Sequence, residues 1–256
     1  MNLGAEETSY YNDRLPSLSI VIPAYNEESR LPATLDQVLA HLDSAAQSPA
    51  EIIVVDDGSR DGTAALIEQY AAQDPRVRLL RNPGNRGKGY SIKHGMLDAK
   101  HDWVLFSDAD LSAPIEELPK LEAAIREQNA AIAIGSRALN RKLIGVHQSP
   151  FRETAGRFFN LVMRVICGLP FWDTQCGFKL FRRDAAQTVF KRVTTDRFGF
   201  DVEALFIARL HNFKTVEVPV RWNHAEGTKI NMFSDSADMF LDLIRVRWNQ
   251  LKGLYR

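Results

Sequence analysis

Two aspartates flanking one small residue, Asp108-Ala109-Asp110, follow the apolar run WVLFS at 103–107. At the end of a buried strand, such a pair can share one hard cation and leave positions open for pyrophosphate oxygens. The same residues could instead make a turn and a helix cap ahead of Pro114, and the triplet alone does not choose. Asp56-Asp57-Gly58 follows a second apolar run, EIIVV at 51–55. One carboxylate there can shape the turn while the other accepts hydrogen bonds from a base or ribose. Pro23-Ala24-Tyr25-Asn26-Glu27-Glu28 follows a third run, LSIVI at 18–22. Asn85-Arg86-Gly87-Lys88-Gly89 sets two cations beside two glycines at a helix start, suited to a phosphate or base. Arg86 reads equally well as a solvated turn residue; Lys88, between the glycines, is the stronger contact.

These groups need a scaffold that aims them at one place. Short Val/Ile-rich runs at 18–22, 51–55, 77–80, 103–107 and 131–135 alternate with helical patterns at 29–46, 63–72, 89–99 and 115–128. Strand-helix alternation with nearly continuous apolar strands predicts a mainly parallel α/β sheet with helices on both faces, Rossmann-like, whose ligands lie beyond the carboxyl ends of the strands. Neither GxGxxG nor GxxxxGK[ST] occurs, which argues against a dinucleotide oxidoreductase or a P-loop nucleotidase. Carboxylates rather than a glycine cradle must hold the nucleotide, which points to Mg2+ or Mn2+ as a bridging cation.

Beyond Ser136 the alternation stops. A basic, loop-rich stretch leads into a helix expected from Glu153 to Cys167, followed by a strand at 178–181, a helix from Phe200 to Leu210, an edge strand at 215–220 and a final helix from Ser234 to Leu254. With no repeat or linker, residues 1–256 are read as one domain in which the halves 17–136 and 137–256 share a core.

The chain has 32 Lys+Arg and 32 Asp+Glu. Residues 1–128 carry 12 and 21 of these (−9), residues 129–256 carry 20 and 11 (+9). The balance argues against a nucleic-acid partner, which needs a basic surface. Two cysteines are too few for a disulfide framework, and Cys176 reads as structural. No apolar run reaches the length of a membrane span and the polar N-terminus is no signal peptide, so a cytoplasmic, soluble or peripheral protein is expected.

IVIPAYNEE (20–28), VVDDGSRDGT (54–63), NRGKG (85–89) and SDADLS (107–112), in that order, resemble glycosyltransferase family 2 with the GT-A fold. DTQCGFKLF (173–181) and RFGFDVEAL (197–205) resemble its dolichyl-phosphate β-glucosyltransferase and dolichol-phosphate mannose synthase branch, closer to the former. The resemblance implies an inverting hexosyl transfer, with UDP-glucose as the favoured donor, a divalent cation and a polyprenyl phosphate acceptor. It places Pro23, Tyr25 and Glu27 around the base with Asp56 or Asp57, and Lys88 and Arg137 near the phosphates. It also puts Asp108 and Asp110 at the metal and diphosphate, with Asp110 counted as catalytic, and Arg152 at the acceptor phosphate. The loop from His224 to Lys229 resembles a segment that closes near the donor. Ser112 stands where some relatives have Gln, so no ligand is expected there. Eukaryotic members of this branch carry an N-terminal membrane anchor that this sequence lacks, so attachment is expected from elsewhere.

Asp201 is the candidate general base, or else the cap of the helix that follows it, with Glu203 adding first-turn charge. A phosphate acceptor is already anionic and needs little from a base, whereas a hydroxyl acceptor would make Asp201 indispensable. Residues 137–164 carry a net +5 among interleaved apolar side chains, and helical spacing from 153 to 167 fits either an ordinary amphipathic core helix or, as the resemblance favours, a helix in a membrane interface at the cytoplasmic face. The final helix repeats the pattern, for packing on the domain or a homo-oligomer contact. Rival readings are a mannosyltransferase using GDP-mannose, a family 2 enzyme acting on a hydroxyl of polysaccharide or glycolipid, a nucleotidyltransferase, and a non-catalytic nucleotide-sugar sensor.

Overall fold

Strands that are apolar on both faces must be covered on both. The computed structural model describes residues 16–47, 49–146, 161–223 and 232–256. Its strands in chain order are Leu18–Ala24 (β1), Ala50–Asp56 (β2), Val77–Arg81 (β3), Trp103–Ser107 (β4), Ile132–Ser136 (β5), Ile144–Val146 (β6), Phe178–Arg182 (β7), Thr215–Pro219 (β8) and Trp222–Asn223 (β9). Seven of them form one sheet in the order β3-β2-β1-β4-β7-β5-β8, while β6 and β9 pair separately. All neighbours in the large sheet run parallel except β7, which is antiparallel to β4 and β5.

The helices are Leu31–Ser44 (α1), Thr63–Gln73 (α2), Lys88–Asp98 (α3), Leu118–Glu127 (α4), residues 161–167 (α5), Arg183–Arg192 (α6), Phe200–Leu210 (α7) and Met232–Leu251 (α8). Because successive side chains of a strand point to opposite faces, each strand feeds two cores. Ile20, Ile22, Val54, Leu105 and Leu180 pack with Leu35 and Val38 of α1, Ile67 of α2 and Leu121 of α4. Val21, Val55, Phe106, Ile134 and Phe181 pack with Ile92 and Met96 of α3, Cys167 of α5, Val189 of α6, Phe206 of α7 and Val246 of α8.

The five early strands and four early helices lie where the periodicity puts them, as does α7, and β8 is the expected edge strand, where Pro219 is tolerated. Of the helix expected from Glu153, only 161–167 falls within the described residues. Three features went unanticipated: the antiparallel insertion of β7, the small ribbon, and α6, whose buried Ala185, Ala186, Val189 and Phe190 do recur at helical spacing. No helix among the described residues is long and apolar enough to cross a membrane.

Order matters for function at one point. The chain builds β1, β2 and β3 outward in one direction, then returns to place β4 on the other side of β1. Such a reversal leaves a crevice outside the carboxyl ends of the two strands, because the segments leaving them diverge to opposite faces.

Candidate functional site

That crevice is a cleft of about 400 Å3. Pro23, Tyr25 and Glu27 line it from the end of β1, Asp57 from β2, Lys88 from the start of α3, and Asp108 and Asp110 from the end of β4. Arg197 and Phe198, from the second half of the chain, complete the wall.

Its acidic side is built by a tight turn. After β4, the Leu111 amide donates to the Asp108 carbonyl (3.2 Å), with Leu111 at φ 45°. A left-handed conformation costs a non-glycine residue about 1–3 kcal/mol, so the surrounding contacts must hold it. The Asp110 carboxylate accepts from the Ser112 amide (2.9 Å), and Asp108 pairs with the Lys88 ammonium (2.6 Å). Burial alone would lower the Lys88 pKa; Asp108 first, then Asp201, more than reverse this, so the side chain stays charged. Beneath the pair lies Gly177, where any Cβ would collide with the Asp108 carboxylate. Two hard carboxylates lining one cleft suit Mg2+ or Mn2+. Among the described residues no cluster of three or more His, Cys, Asp or Glu could hold a metal by itself. A cation bound by Asp108 and Asp110 would therefore complete its shell with ligand phosphates and water.

The two adjacent aspartates after β2 divide their tasks. Asp56 is buried and accepts from the Ser59 amide (3.1 Å), which shapes the turn and keeps it out of the cleft lining. Asp57 reaches the cleft and accepts from the side-chain amide of Asn82 (2.8 Å) and the amides of Arg86 (2.9 Å) and Gly87 (2.8 Å). Its carboxylate thereby fixes the loop that presents Lys88. The glycines of that loop allow close approach of a neighbouring backbone. A Cβ at Gly87, whose φ is +106°, would strike the Asp196 carbonyl at 2.5 Å, and one at Gly89 the Thr195 carbonyl at 2.5 Å. Arg86 stacks on Tyr90 at 4.5 Å and pairs with Asp196 at 3.3 Å.

The second half contributes buried charge. Asp201 does not cap α7: Gly199 holds the N-cap position, and the carboxylate forms an ion pair with Lys179 (2.5 Å). Burial pushes the Asp201 carboxyl up, against the pull of Lys179 and Lys88. Lys179 also donates to the Cys176 carbonyl (2.6 Å) and lies 4.9 Å from the Phe106 ring centre. Arg137 is outside the cleft lining and grips Asp173 through Nε (2.6 Å) and Nη2 (2.8 Å). Glu203 is a first-turn acid of α7, and it is fully buried and hydrogen-bonded to residues 194 and 195. Burial pushes the Cys176 thiol up to about 12, which fits a structural residue. Arg152 and the 224–229 loop lie outside the described residues.

In DTQCGFKLF the residue types and spacing give no role to Asp173, Gly177 or Lys179, nor in RFGFDVEAL to Arg197 or Phe198. One signal was available: a lysine inside an apolar strand needs a buried partner, since lysine is almost never fully buried alone.

The model of the family described as glycosyl transferase family 2 matches residues 19–190. Two curated relatives are named dolichyl-phosphate beta-glucosyltransferase. The one from Dictyostelium discoideum is 35% identical over 93% of this chain and 76% of its own length. The one from Homo sapiens is 36% identical over 99% and 82%. Among solved structures, glucosyl-3-phosphoglycerate synthase from Mycobacterium tuberculosis, in complex with Mn2+, uridine-diphosphate and glucosyl-3-phosphoglycerate, aligns with a TM-score of 0.63. That alignment covers 90% of this chain and 80% of that chain at 17% identity, a likeness of fold alone.

Proposed function

The chain belongs to glycosyltransferase family 2, and from that premise we propose that it transfers glucose from UDP-glucose onto a polyprenyl phosphate such as dolichyl phosphate, with inversion, at the cytoplasmic face of a membrane. What carries the reading is that the likeness to lipid-phosphate glucosyltransferases runs through 93% and 99% of the chain, so that it includes the basic half as well as the cleft.

In this reading the whole chain acts as one unit. Pro23, Tyr25, Glu27 and Asp57 receive the base and ribose, Lys88 the diphosphate, and Asp108 with Asp110 the divalent cation. A cation held there would offset the charge that grows on the departing diphosphate, a contribution of several kcal/mol. An oxygen of the acceptor phosphate attacks the anomeric carbon as the bond to the nucleotide diphosphate breaks, which inverts the configuration. Being anionic already, that oxygen has no proton to lose, so the Lys179–Asp201 pair can stay buried and serve as support. In the same reading Arg152 is the residue assigned to the acceptor phosphate, while Arg137, held by Asp173, acts on the phosphates only as support.

The test is incubation with UDP-glucose, GDP-mannose or UDP-N-acetylglucosamine, with Mg2+ or Mn2+ and a polyprenyl phosphate in detergent. Glucose should pass to the lipid, and Asp108→Ala should abolish the transfer. No transfer from any donor would sink the proposal, and transfer only from GDP-mannose would make the chain a mannosyltransferase.

A further inference from the structure

Among the described residues, helix α8 has two apolar faces and only one of them is covered. Leu243 and Val246 are buried in the core, yet Leu241, Ile244, Trp248 and Leu251 are 57, 51, 58 and 80% exposed. At 3.6 residues per turn these four fall within an arc of roughly 80°, opposite the buried side. Arg245 and Lys252 border the arc on one edge and Arg247 on the other. Asp242 is the one carboxylate side chain in residues 240–256; it is buried and paired with Arg245 at 2.9 Å. An apolar stripe edged by cations complements an anionic lipid surface. A second copy of this chain would fit it poorly, since a two-fold contact opposes a patch to itself and so cation to cation.

The inner side of α8 reaches the cleft through hydrogen bonds. Asn249 donates to the hydroxyls of Thr194 (3.2 Å) and Tyr255 (3.3 Å), and the Tyr255 hydroxyl donates to Glu203 (2.6 Å). Glu203 also accepts from the Thr194 amide (2.9 Å), the Thr194 hydroxyl (2.6 Å) and the Thr195 amide (2.8 Å). Four donors on one buried carboxylate pin the 194–195 backbone. The next residues lie against Gly87 and Gly89, on either side of Lys88, and put Arg197 and Phe198 into the cleft wall.

We infer that the outward face of α8 docks on an anionic bilayer and that Glu203, as a positioning residue, conveys this docking to the cleft wall at 194–198. Restraining α8 restrains its hydrogen-bonded partners, so the wall is already ordered when a ligand arrives and binding costs less conformational entropy. The inference rests on the proposed reading, in which the acceptor is a membrane lipid, for its biological sense but not for its test.

The test is hydrogen exchange on the full chain with vesicles of phosphatidylcholine alone or doped with phosphatidylglycerol. The doped vesicles should bind the protein and slow amide exchange at 194–198 several-fold, whereas neutral ones should do neither. Trp248→Glu should abolish binding. Tyr255→Phe keeps the ring but loses its hydrogen bond to Glu203; it should still bind doped vesicles without slowing exchange at 194–198. Asn249→Ala gives a second break in the same link should Tyr255→Phe unfold. Absence of binding to doped vesicles, unchanged exchange in the bound wild type, or equal slowing in the folded variants would overturn the inference. No sugar, metal or acceptor enters this experiment, so its failure is separate from failure of the transfer assay.

Discussion

Asp201 illustrates how a residue's surroundings limit its chemistry. Its carboxylate lies 2.5 Å from a lysine that is itself buried, and Lys179 in turn donates to the Cys176 carbonyl. Removing one partner of such a pair strands the other in low dielectric, at a cost of about 3–5 kcal/mol. Asp201→Ala should therefore lower stability by that order, seen as a reduced midpoint in urea. Asp201→Asn keeps an acceptor for Lys179 and should fold; with a phosphate acceptor its kcat should fall by less than about 100-fold. A folded Asp201→Asn enzyme slowed well beyond that limit would favour the general-base role and a hydroxyl acceptor.

Among the elements, β7 matters most for the site. It is the one antiparallel strand of the large sheet, inserted beside β4, and the Asp108 amide donates to the carbonyl of Gly177 just ahead of it (3.0 Å). A Cβ at Gly177 would meet the Asp108 carboxylate, which would have to move aside. In Gly177→Ala the added methyl should displace Asp108, and misplacement of a catalytic group by about 1 Å can cost on the order of 100-fold in rate. We expect kcat to drop by that order and Mn2+ affinity, read by electron paramagnetic resonance, to weaken, while the far-ultraviolet circular dichroism stays that of the wild type. Unchanged metal affinity would mean that Asp108 does not depend on this strand. Periodicity marks FKLF as a strand, but not its direction or neighbour, since both depend on contacts remote in sequence. Gly177 and Lys179 therefore went without roles until β7 was seen beside β4.

At the scale of the whole molecule, the −9 and +9 halves of the chain are joined partly by their charges. Glu117 is buried and holds Arg221 at 2.5 Å, and Arg86 of the acidic half meets Asp196 of the basic one. Several carboxylates are held below their ordinary pKa. For Glu51 and Glu117, burial works upward, but Ser19, the Lys100 amide and Arg78 at Glu51, and Lys120 and Arg221 at Glu117, outweigh it. At Asp173, Arg137 does the same. Groups whose folded pKa lies below the unfolded value add stability above the unfolded value and lose it as pH falls through the folded one. The melting temperature should therefore fall as pH drops below the ordinary glutamate value of 4.5. A midpoint that stays flat between about pH 5 and about pH 3 would contradict this. The alternation of strands and helices from β1 to β5, and the acidic and glycine-rich segments that follow those strands, were determined by the sequence alone, because periodicity and turn chemistry are local properties. Only the tertiary structure decided which of two adjacent aspartates faces the cleft, which lysine pairs with Asp201, and what the glycines around Lys88 make room for. Those outcomes depend on which backbone segments pass within a few ångströms of one another, and that proximity is set by packing across the whole sheet.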